Sequence, residues 1–123
     1  MERLCPKASE QFFDVQGALI SGGRPRPRTR EVFLLLVEMG HHVYLWSSGG
    51  SSYAASAARL LGVEDIVSGC FGKSGPPPVS VDFVVDDQPG MADHYGGHTI
   101  SAFGGDPGDR DLLSVPGAVE SRR

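Results

Sequence analysis

The sequence has few cysteines, no excess of basic residues and no long apolar run. Only Cys5 and Cys70 occur among its 123 residues, without a CxxC pair, so neither a disulfide framework nor a zinc knuckle is predicted. Since 15 acidic side chains outnumber 11 basic ones, nucleic acid is not an expected partner, although a local basic patch is left open. No apolar run approaches the roughly 20 residues that cross a bilayer, and the start, MERLCPKASEQ, lacks the apolar core of a secretory signal. We therefore expect a cytoplasmic protein that does not enter membranes.

Glycine and proline, by contrast, are plentiful, with 17 Gly and 9 Pro in the chain. They concentrate in four short stretches, Ser21–Pro27, Ser47–Ser52, Gly72–Pro78 and Gly104–Gly108. Evenly spaced breaks of this kind separate secondary elements rather than forming one linker. The length and a hydrophobic share of 40% predict a single domain over residues 1–123. The polar end from Pro116 to Arg123 is expected to fray.

Strand and helix patterns alternate about five times along the chain. The predicted strands are Gln11–Val15, His42–Trp46, Ile66–Phe71, Val81–Val85 and His98–Phe103. Helices are predicted at Arg28–Met39, from Ser51 or Ser52 to about Leu61, at Pro89–Tyr95, and from a start within Asp109–Leu113. This alternation predicts an α/β fold, a three-layer sandwich around a Rossmann-like, mostly parallel five-stranded sheet.

Polar side chains follow four of the predicted strands. In chain order they are Asp14, the pair Ser47 and Ser48, Lys73, and the pair Asp86 and Asp87. Because the carboxyl ends of parallel strands meet at one edge of a sheet, we expect these side chains to converge. A carboxylate that attacks phosphorus, a hydroxyl and an ammonium that bind phosphoryl oxygens, and carboxylates that hold a hard cation such as Mg²⁺ together suit phosphoryl transfer.

Four short motifs carry these residues, in the order FFDVQGAL, VYLWSSG, FGKSG and VDFVVDD. The ordered set resembles the haloacid dehalogenase (HAD) superfamily. Its members have a strand followed by DxDG, an apolar strand ending in Ser or Thr, a lysine, and an apolar strand ending in an acid pair. The resemblance covers the chain from about Phe12 to Phe103 and implies a Mg²⁺-dependent hydrolase of the phosphatase or phosphotransferase type.

The resemblance implies a role in catalysis or substrate binding for four residues. Asp14 would be the nucleophile, which forms an aspartyl-phosphate, and Lys73 would steady both Asp14 and the phosphate. Ser47, with Ser48 beside it, would bind phosphate oxygens. The implied substrate or partner is a phosphorylated small molecule or macromolecule.

The resemblance also implies a Mg²⁺ site. Its ligands would be the carboxylates of Asp14, Asp86 and Asp87, one of the last two through water, and the main-chain carbonyl of Gln16. Paired acids after an apolar strand repel one another unless a cation or a donor is near, which favours this interpretation of Asp86 and Asp87. Asp93 could extend the acidic end, although we expect it on the exposed side of the following helix.

The second acid of the DxDG motif is replaced by Gln16. In the family this position holds the general acid that protonates the leaving group and later activates water, and an amide does neither. Losing a positioned acid–base group typically lowers a rate by about 10²–10⁴-fold. Position 18 is Ala rather than the usual Thr, which removes a hydroxyl near the nucleophile. Phosphonatases and dehalogenases also lack the second acid, so a slow or atypical hydrolase is the leading hypothesis.

Two other functions are left open. A catalytically impaired relative would bind metal or a phosphorylated partner without turning it over, and Gln16 is the feature that separates it from an enzyme. A subunit or interaction protein would keep only a vestigial pocket. Stabilisation by Mg²⁺ would count against the vestigial pocket, because a ligand of the native state raises its stability.

The motif spacing leaves no room for an inserted cap domain between the first motif and the first helix, or between the third and fourth motifs. Open sites in the superfamily serve large substrates or are closed by a neighbouring subunit, so a homo-oligomer is left open. Between the first motif and the first helix a small flap, GGRPRPR, carries Arg24, Arg26 and Arg28. These arginines either attract an anionic substrate or partner at the rim or are simply solvated.

Two rival interpretations are disfavoured. Response-regulator receivers also combine an aspartyl-phosphate, Mg²⁺, a hydroxyl and a lysine on a parallel sheet. In receivers the acid pair comes first in the chain and the phospho-acceptor later, whereas here the order is reversed. The four histidines, His41, His42, His94 and His98, are expected at the surface or at sheet edges rather than in a transition-metal site.

Overall fold

The computed structural model describes residues 9–75, 77 and 79–121, in which strands and helices alternate. The strands are β1 (Glu10–Asp14), β2 (Ile20–Ser21), β3 (Arg24–Pro25), β4 (His42–Ser47), β5 (Gly69–Gly72), β6 (Phe83–Asp86) and β7 (Gly97–Thr99). The helices are α1 (Thr29–Glu38), α2 (Ser51–Leu61), α3 (Pro89–Tyr95) and α4 (Val115–Ser121), the last preceded by a 3₁₀ turn at Asp111–Ser114. None of these helices is long and apolar enough to cross a membrane.

Five of the strands form one parallel sheet in the order β5-β4-β1-β6-β7. The chain adds β4 and β5 on one side of β1 and then returns to add β6 and β7 on the other. In sheets of this Rossmann-like order, ligands bind outside the carboxyl ends of the strands, where the direction of building reverses. Here the reversal lies between β1 and β6, with Phe13 in register with Val85. The predicted α/β sandwich around a mostly parallel five-stranded sheet is confirmed.

The sheet separates two apolar cores, because successive side chains of a strand point to opposite faces. Phe13 lies in the larger core, which α1, α2 and α4 cover. Phe12 lies in the smaller core, and its ring centroid is 4.7 Å from that of Tyr44 and 4.8 Å from that of Trp46. Side chains of α3 pack against this second core. The sheet is therefore the middle of three layers.

The third predicted strand, Ile66–Phe71, is shorter than expected and pairs with β4 only from Gly69 onward. The segment before Gly69 makes a turn, in which the N–H groups of Ile66 and Val67 donate to the Val63 carbonyl at 2.9 and 3.1 Å. Their apolar side chains pack against the larger core from this turn. Apolar, β-branched residues thus mark burial here rather than strand pairing.

The fourth and fifth predicted strands are also shorter. The fourth begins at Phe83 rather than Val81, and the fifth, predicted as His98–Phe103, is limited to β7. The fifth strand ends early because its partner β6 ends at Asp86, opposite Thr99. Just beyond this point the N–H and hydroxyl of Ser101 both donate to the Asp111 carboxylate, at 2.7 and 2.8 Å.

The end predicted to fray, Pro116–Arg123, is instead mostly helical and forms α4. Val115 is fully buried and Val119 nearly so, since their i, i+4 spacing places both on the face that meets the larger core. Proline at position 116 is tolerated because the first turn of a helix does not use its N–H groups. Residues 122–123 lie outside the described residues.

Arg26 corrects the interpretation of the flap, because its guanidinium is fully buried rather than exposed at the rim. Its Nε and Nη2 donate to the two carboxylate oxygens of Asp109 at 2.8 and 3.0 Å. Its Nη1 donates to the main-chain oxygens of Ala18 and Ser101 at 3.0 and 2.9 Å. The prediction of a rim position is therefore wrong for Arg26, which instead joins the flap to the segment that precedes α4.

The flap itself is the short hairpin of β2 and β3, in which Ile20 is in register with Pro25. Arg24, within the hairpin, and Arg28, just after it, are exposed. Arg28 donates to Glu31 at 3.1 Å on the surface. The hypothesis of an anion-attracting flap is therefore limited to Arg24 and Arg28.

Candidate active site

The predicted polar positions meet at one edge of the sheet. Asp14 is the last residue of β1, Ser47 of β4 and Asp86 of β6, and Lys73 directly follows β5. Since β1 and β6 are neighbours where the strand order reverses, Asp14 and Asp86 flank the crevice in which sheets of this order bind ligands. Their convergence follows from the confirmed topology, whereas their chemical roles stay predictions.

Lys73 connects the carboxylates of the two neighbouring strands. Its Nζ donates to Asp14 Oδ1 at 2.7 Å and lies 3.6 Å from Asp86 Oδ2. Its main-chain N–H donates to the Ser47 carbonyl at 2.9 Å, which ties the loop after β5 to the end of β4. The ammonium also lies 5.6 Å from the centroid of the Trp46 ring, a distance that favours a cation–π interaction. The lysine is thus held by both its main chain and its side chain.

Three carboxylates crowd this edge. Oxygens of Asp14, Asp86 and Asp87 lie within 4.8 Å of one another, and no other group of metal-ligating side chains is found among residues 9–75, 77 and 79–121. Asp86 is almost completely buried, and its Oδ1 accepts the N–H of Gln88 at 2.9 Å. Oxygen ligands of this kind suit a hard cation such as Mg²⁺.

Burial also raises the pKa of two of these three carboxyl groups. Burial raises the pKa of Asp14 from 3.8 to about 6, the hydrogen bond from Lys73 opposes this change, and the charges of Asp86 and Asp87 reinforce it. The pKa of Asp87 is raised as well, first by burial and then by its hydrogen bond with Asp86. One ammonium therefore does not compensate three carboxylates, and the group lacks positive charge.

In metal-free buffer, the contribution of Asp14 to stability is expected to rise as the pH falls from 7 to 5. The folded protein binds this proton more tightly than the unfolded chain, so the cost of the ionised carboxylate is fully present well above pH 6 and is lost progressively as the pH falls through about 6 toward 3.8, the ordinary pKa. The expected gain in the free energy of unfolding over this window is about 1 kcal/mol. Urea unfolding in EDTA measures it as the difference between the pH profiles of wild type and Asp14→Asn. Parallel profiles would contradict the prediction.

Gly17 allows the Asp87 carboxylate to approach the turn after β1. Its φ is 86°, and a Cβ at this position would lie 2.8 Å from Asp87 Oδ2. Its carbonyl accepts the N–H of Phe103 at 2.8 Å. Any side chain here would therefore be strained and would displace the Asp87 carboxylate.

A pocket of about 290 Å³ opens at the end of β4, and its lining is neutral. The lining residues are Gln16, Ser47, Ser48, Gly49 and Tyr53. Ser47 is buried, and its Oγ accepts the N–H of Gly49 at 3.0 Å, so its own proton is left to donate. Ser48 is exposed. Both predicted phosphate-binding serines therefore face this pocket.

Tyr53 is a pocket residue that sequence analysis did not select. It is the third residue of α2, and its hydroxyl donates to Gln16 Oε1 at 2.6 Å. The available signal was its place just after the SSGGSS loop, but nothing in the sequence pairs it with Gln16. The amide that replaces the expected acid thus has a partner of its own.

The histidines are only partly as expected. His41 is buried, and its Nδ1 accepts the N–H of Ser9 at 3.2 Å, so the prediction of a surface position is wrong for His41. His94 belongs to α3 and His98 to β7. His98 Nε2 lies 2.9 Å from Ser114 Oγ.

Comparisons of the chain with protein-family models, with curated proteins and with solved structures find no match. The resemblance to the HAD superfamily accordingly rests on the four motifs and their order. The geometry supplies the rest of the argument: a buried carboxylate held by a lysine, two further carboxylates, and a hydroxyl-lined pocket, all at the carboxyl edge of a Rossmann-like sheet.

Proposed function

We propose that the protein is a Mg²⁺-dependent phosphate-ester hydrolase that acts through an aspartyl-phosphate on Asp14. The observation that carries the proposal is the 2.7 Å contact between Asp14 and Lys73, next to the carboxylates of Asp86 and Asp87. Phosphoryl transfer of this type uses a carboxylate nucleophile, an ammonium that binds phosphoryl oxygens, and ligands for a hard cation.

The residues at this edge suit Mg²⁺. The oxygens of Asp14, Asp86 and Asp87 are close enough to share one ion. Because burial raises the pKa of Asp14 and of Asp87, a cation here would relieve a shortage of positive charge. When bound, Mg²⁺ would offset the negative charge of the phosphoryl oxygens. The Gln16 carbonyl, in the turn after β1, stays a predicted additional ligand.

The chain's own residues orient the reaction. Lys73 holds Asp14 Oδ1, so the carboxylate has a fixed direction when it attacks phosphorus. The Lys73 ammonium and the free proton of the Ser47 hydroxyl bind the phosphoryl oxygens, whose charge shifts in the transition state. The bond to the leaving oxygen then breaks, and water cleaves the aspartyl-phosphate in a second step.

The site is open, which bears on the substrate. Only the hairpin of β2 and β3 stands between β1 and α1, and the described residues between β5 and β6, which are 73–75, 77 and 79–82, form no helix or strand. We infer a phosphorylated small molecule or macromolecule as substrate, with no enclosing domain needed to bind it. A cytoplasmic location and closure of the site by a second copy of the chain stay predictions.

A second function is favoured by one observation. Gln16 faces the pocket with its amide oxygen bound to Tyr53, and no carboxylate lines that pocket. A protein that binds metal and a phosphorylated partner without turnover needs no acid at this position.

Hydrolysis of p-nitrophenyl phosphate by wild type and by Gln16→Asp, each with Mg²⁺ and with EDTA, tests the proposal. Wild type is expected to release p-nitrophenol in Mg²⁺ and not in EDTA, because this leaving group needs little help from an acid. The Gln16→Asp variant is expected to be faster, by about 10²-fold, because its carboxylate can activate the water that hydrolyses the aspartyl-phosphate. Turnover by Gln16→Asp alone would favour the binding function. If neither wild type nor Gln16→Asp hydrolysed p-nitrophenyl phosphate, the result would contradict the hydrolase function.

A further inference from the structure

We propose that Tyr53 donates the proton that the leaving group takes up when the phosphate ester is cleaved. This inference rests on the proposed hydrolase function and adds a catalytic residue to it. The Tyr53 hydroxyl donates to Gln16 Oε1 at 2.6 Å, and both residues line the pocket at the end of β4, the strand that pairs with β1. Tyr53 is 38% exposed, so a ligand in the pocket can reach it.

The loop between β4 and α2 fixes the position of the phenol ring. A Cβ at Gly49 would lie 3.2 Å from atoms of the Tyr53 ring, so the ring packs directly on the glycine backbone. The Gly49 N–H in turn donates to Ser47 Oγ. Gly49 therefore contacts both the Tyr53 ring and the hydroxyl of the serine that is predicted to bind phosphate.

The other side chains of the pocket are poorer proton donors. The Gln16 amide does not release a proton near neutral pH, and the aliphatic hydroxyls of Ser47 and Ser48 are much weaker acids than a phenol. Tyrosine, in contrast, serves as a general acid in enzymes. Among the residues that line the pocket, Tyr53 is therefore the one suited to the task.

Gln16 has a positioning role in this arrangement. Without substrate, its amide oxygen accepts the phenol proton, which turns the Tyr53 hydroxyl toward the end of β1. A leaving oxygen attached to phosphorus near Asp14 can take over as acceptor of the same proton. Gln16, which stands in place of the expected acid, thereby orients the hydroxyl of Tyr53.

The proton transfer balances over two half-reactions. The Asp14 carboxylate forms a bond to phosphorus, while the bond from phosphorus to the leaving oxygen breaks with its electron pair on that oxygen. Tyr53 gives its proton to the leaving oxygen and becomes a phenolate. The phenolate then takes a proton from the water that attacks the aspartyl-phosphate, which releases inorganic phosphate and restores both side chains.

The test compares benzyl phosphate, whose leaving alkoxide needs a proton, with p-nitrophenyl phosphate, whose leaving group does not. Tyr53→Phe is expected to lower the ratio of the two kcat/KM values, benzyl over p-nitrophenyl, by about 10²-fold. Tyr95→Phe is the matched control, because Tyr95 is partly buried against the smaller core, with its ring centroid 5.9 Å from that of Trp46, and does not line the pocket. The control is expected to keep the wild-type ratio.

A second background separates a chemical role from a structural one. In the Gln16→Asp variant a carboxyl can protonate the leaving group. Adding Tyr53→Phe to that variant is therefore expected to leave its benzyl over p-nitrophenyl ratio of kcat/KM unchanged. If Tyr53→Phe slows both esters alike in the wild-type background, the role of Tyr53 is overturned and the hydrolase function stands. No turnover of p-nitrophenyl phosphate by wild type overturns the proposed function and this inference together.

Discussion

The Asp14→Asn variant is expected to lose Mg²⁺-dependent hydrolysis of p-nitrophenyl phosphate by at least about 10³-fold. A neutral amide does not attack phosphorus, and the carboxylates of Asp86 and Asp87 are assigned to the cation. The loss is expected in kcat and not in folding, because asparagine keeps the shape of the side chain and removes a group whose pKa burial raises to about 6. Steady-state kinetics measures the first effect, and thermal unfolding checks the second.

The matched control for this variant is Asp93→Asn. Asp93 is an exposed aspartate of α3 and is not part of the carboxylate group at the sheet edge. The same change of chemistry at this position is expected to leave turnover unaltered. Activity retained by Asp14→Asn would exclude Asp14 as the nucleophile, and equal losses in both variants would indicate an effect unrelated to the site.

Replacing Arg26 by methionine is expected to lower the free energy of unfolding by about 3 kcal/mol. The substitution leaves the Asp109 carboxylate, whose pKa Arg26 holds below its ordinary value, without its partner. It also leaves the main-chain oxygens of Ala18 and Ser101 without the donor that both share. Methionine fills much of the volume, so the loss reflects the polar contacts rather than a cavity. Urea unfolding at neutral pH measures it.

Arg59→Met is the matched control for this effect. Arg59 pairs with Glu64 at 3.1 Å, but both side chains are more than half exposed. Exposed pairs contribute little, so the control is expected to change the free energy of unfolding by about 0.5 kcal/mol or less. If both variants lost the same small amount, the buried guanidinium would not be what holds the flap to the segment before α4.

Much of the sheet edge was predictable, because it depends on the alternation of strands and helices. Apolar strands ending in Asp14, Ser47 and Asp86 had to place these residues together once the sheet was parallel. Lys73 follows for the same reason, since it comes directly after the edge strand β5. Here the residue type at each strand end, together with the parallel direction of the strands, is enough to place these side chains at one edge.

The contacts that were not predictable join positions far apart in the chain. Arg26 and Asp109 are separated by 83 positions, and no pattern in the flap shows that its middle arginine is buried. Tyr53 and Gln16 are 37 positions apart and meet only after α2 has packed on the sheet. The composition of the flap and of the SSGGSS loop describes each segment alone, whereas these pairs are set by tertiary packing.

The strand order also determines when the carboxylate group exists during folding. Lys73 and Asp14 are separated by 59 positions, and β1 lies between β4 and β6. Contacts between distant positions form late, because the entropy of closing long loops opposes them. A nascent chain that ends before β6 contains Asp14 and Lys73 without Asp86 and Asp87. A cation that needs all three carboxylates would therefore bind only after β6 has joined the sheet. Its binding would then stabilise the folded state relative to the unfolded chain.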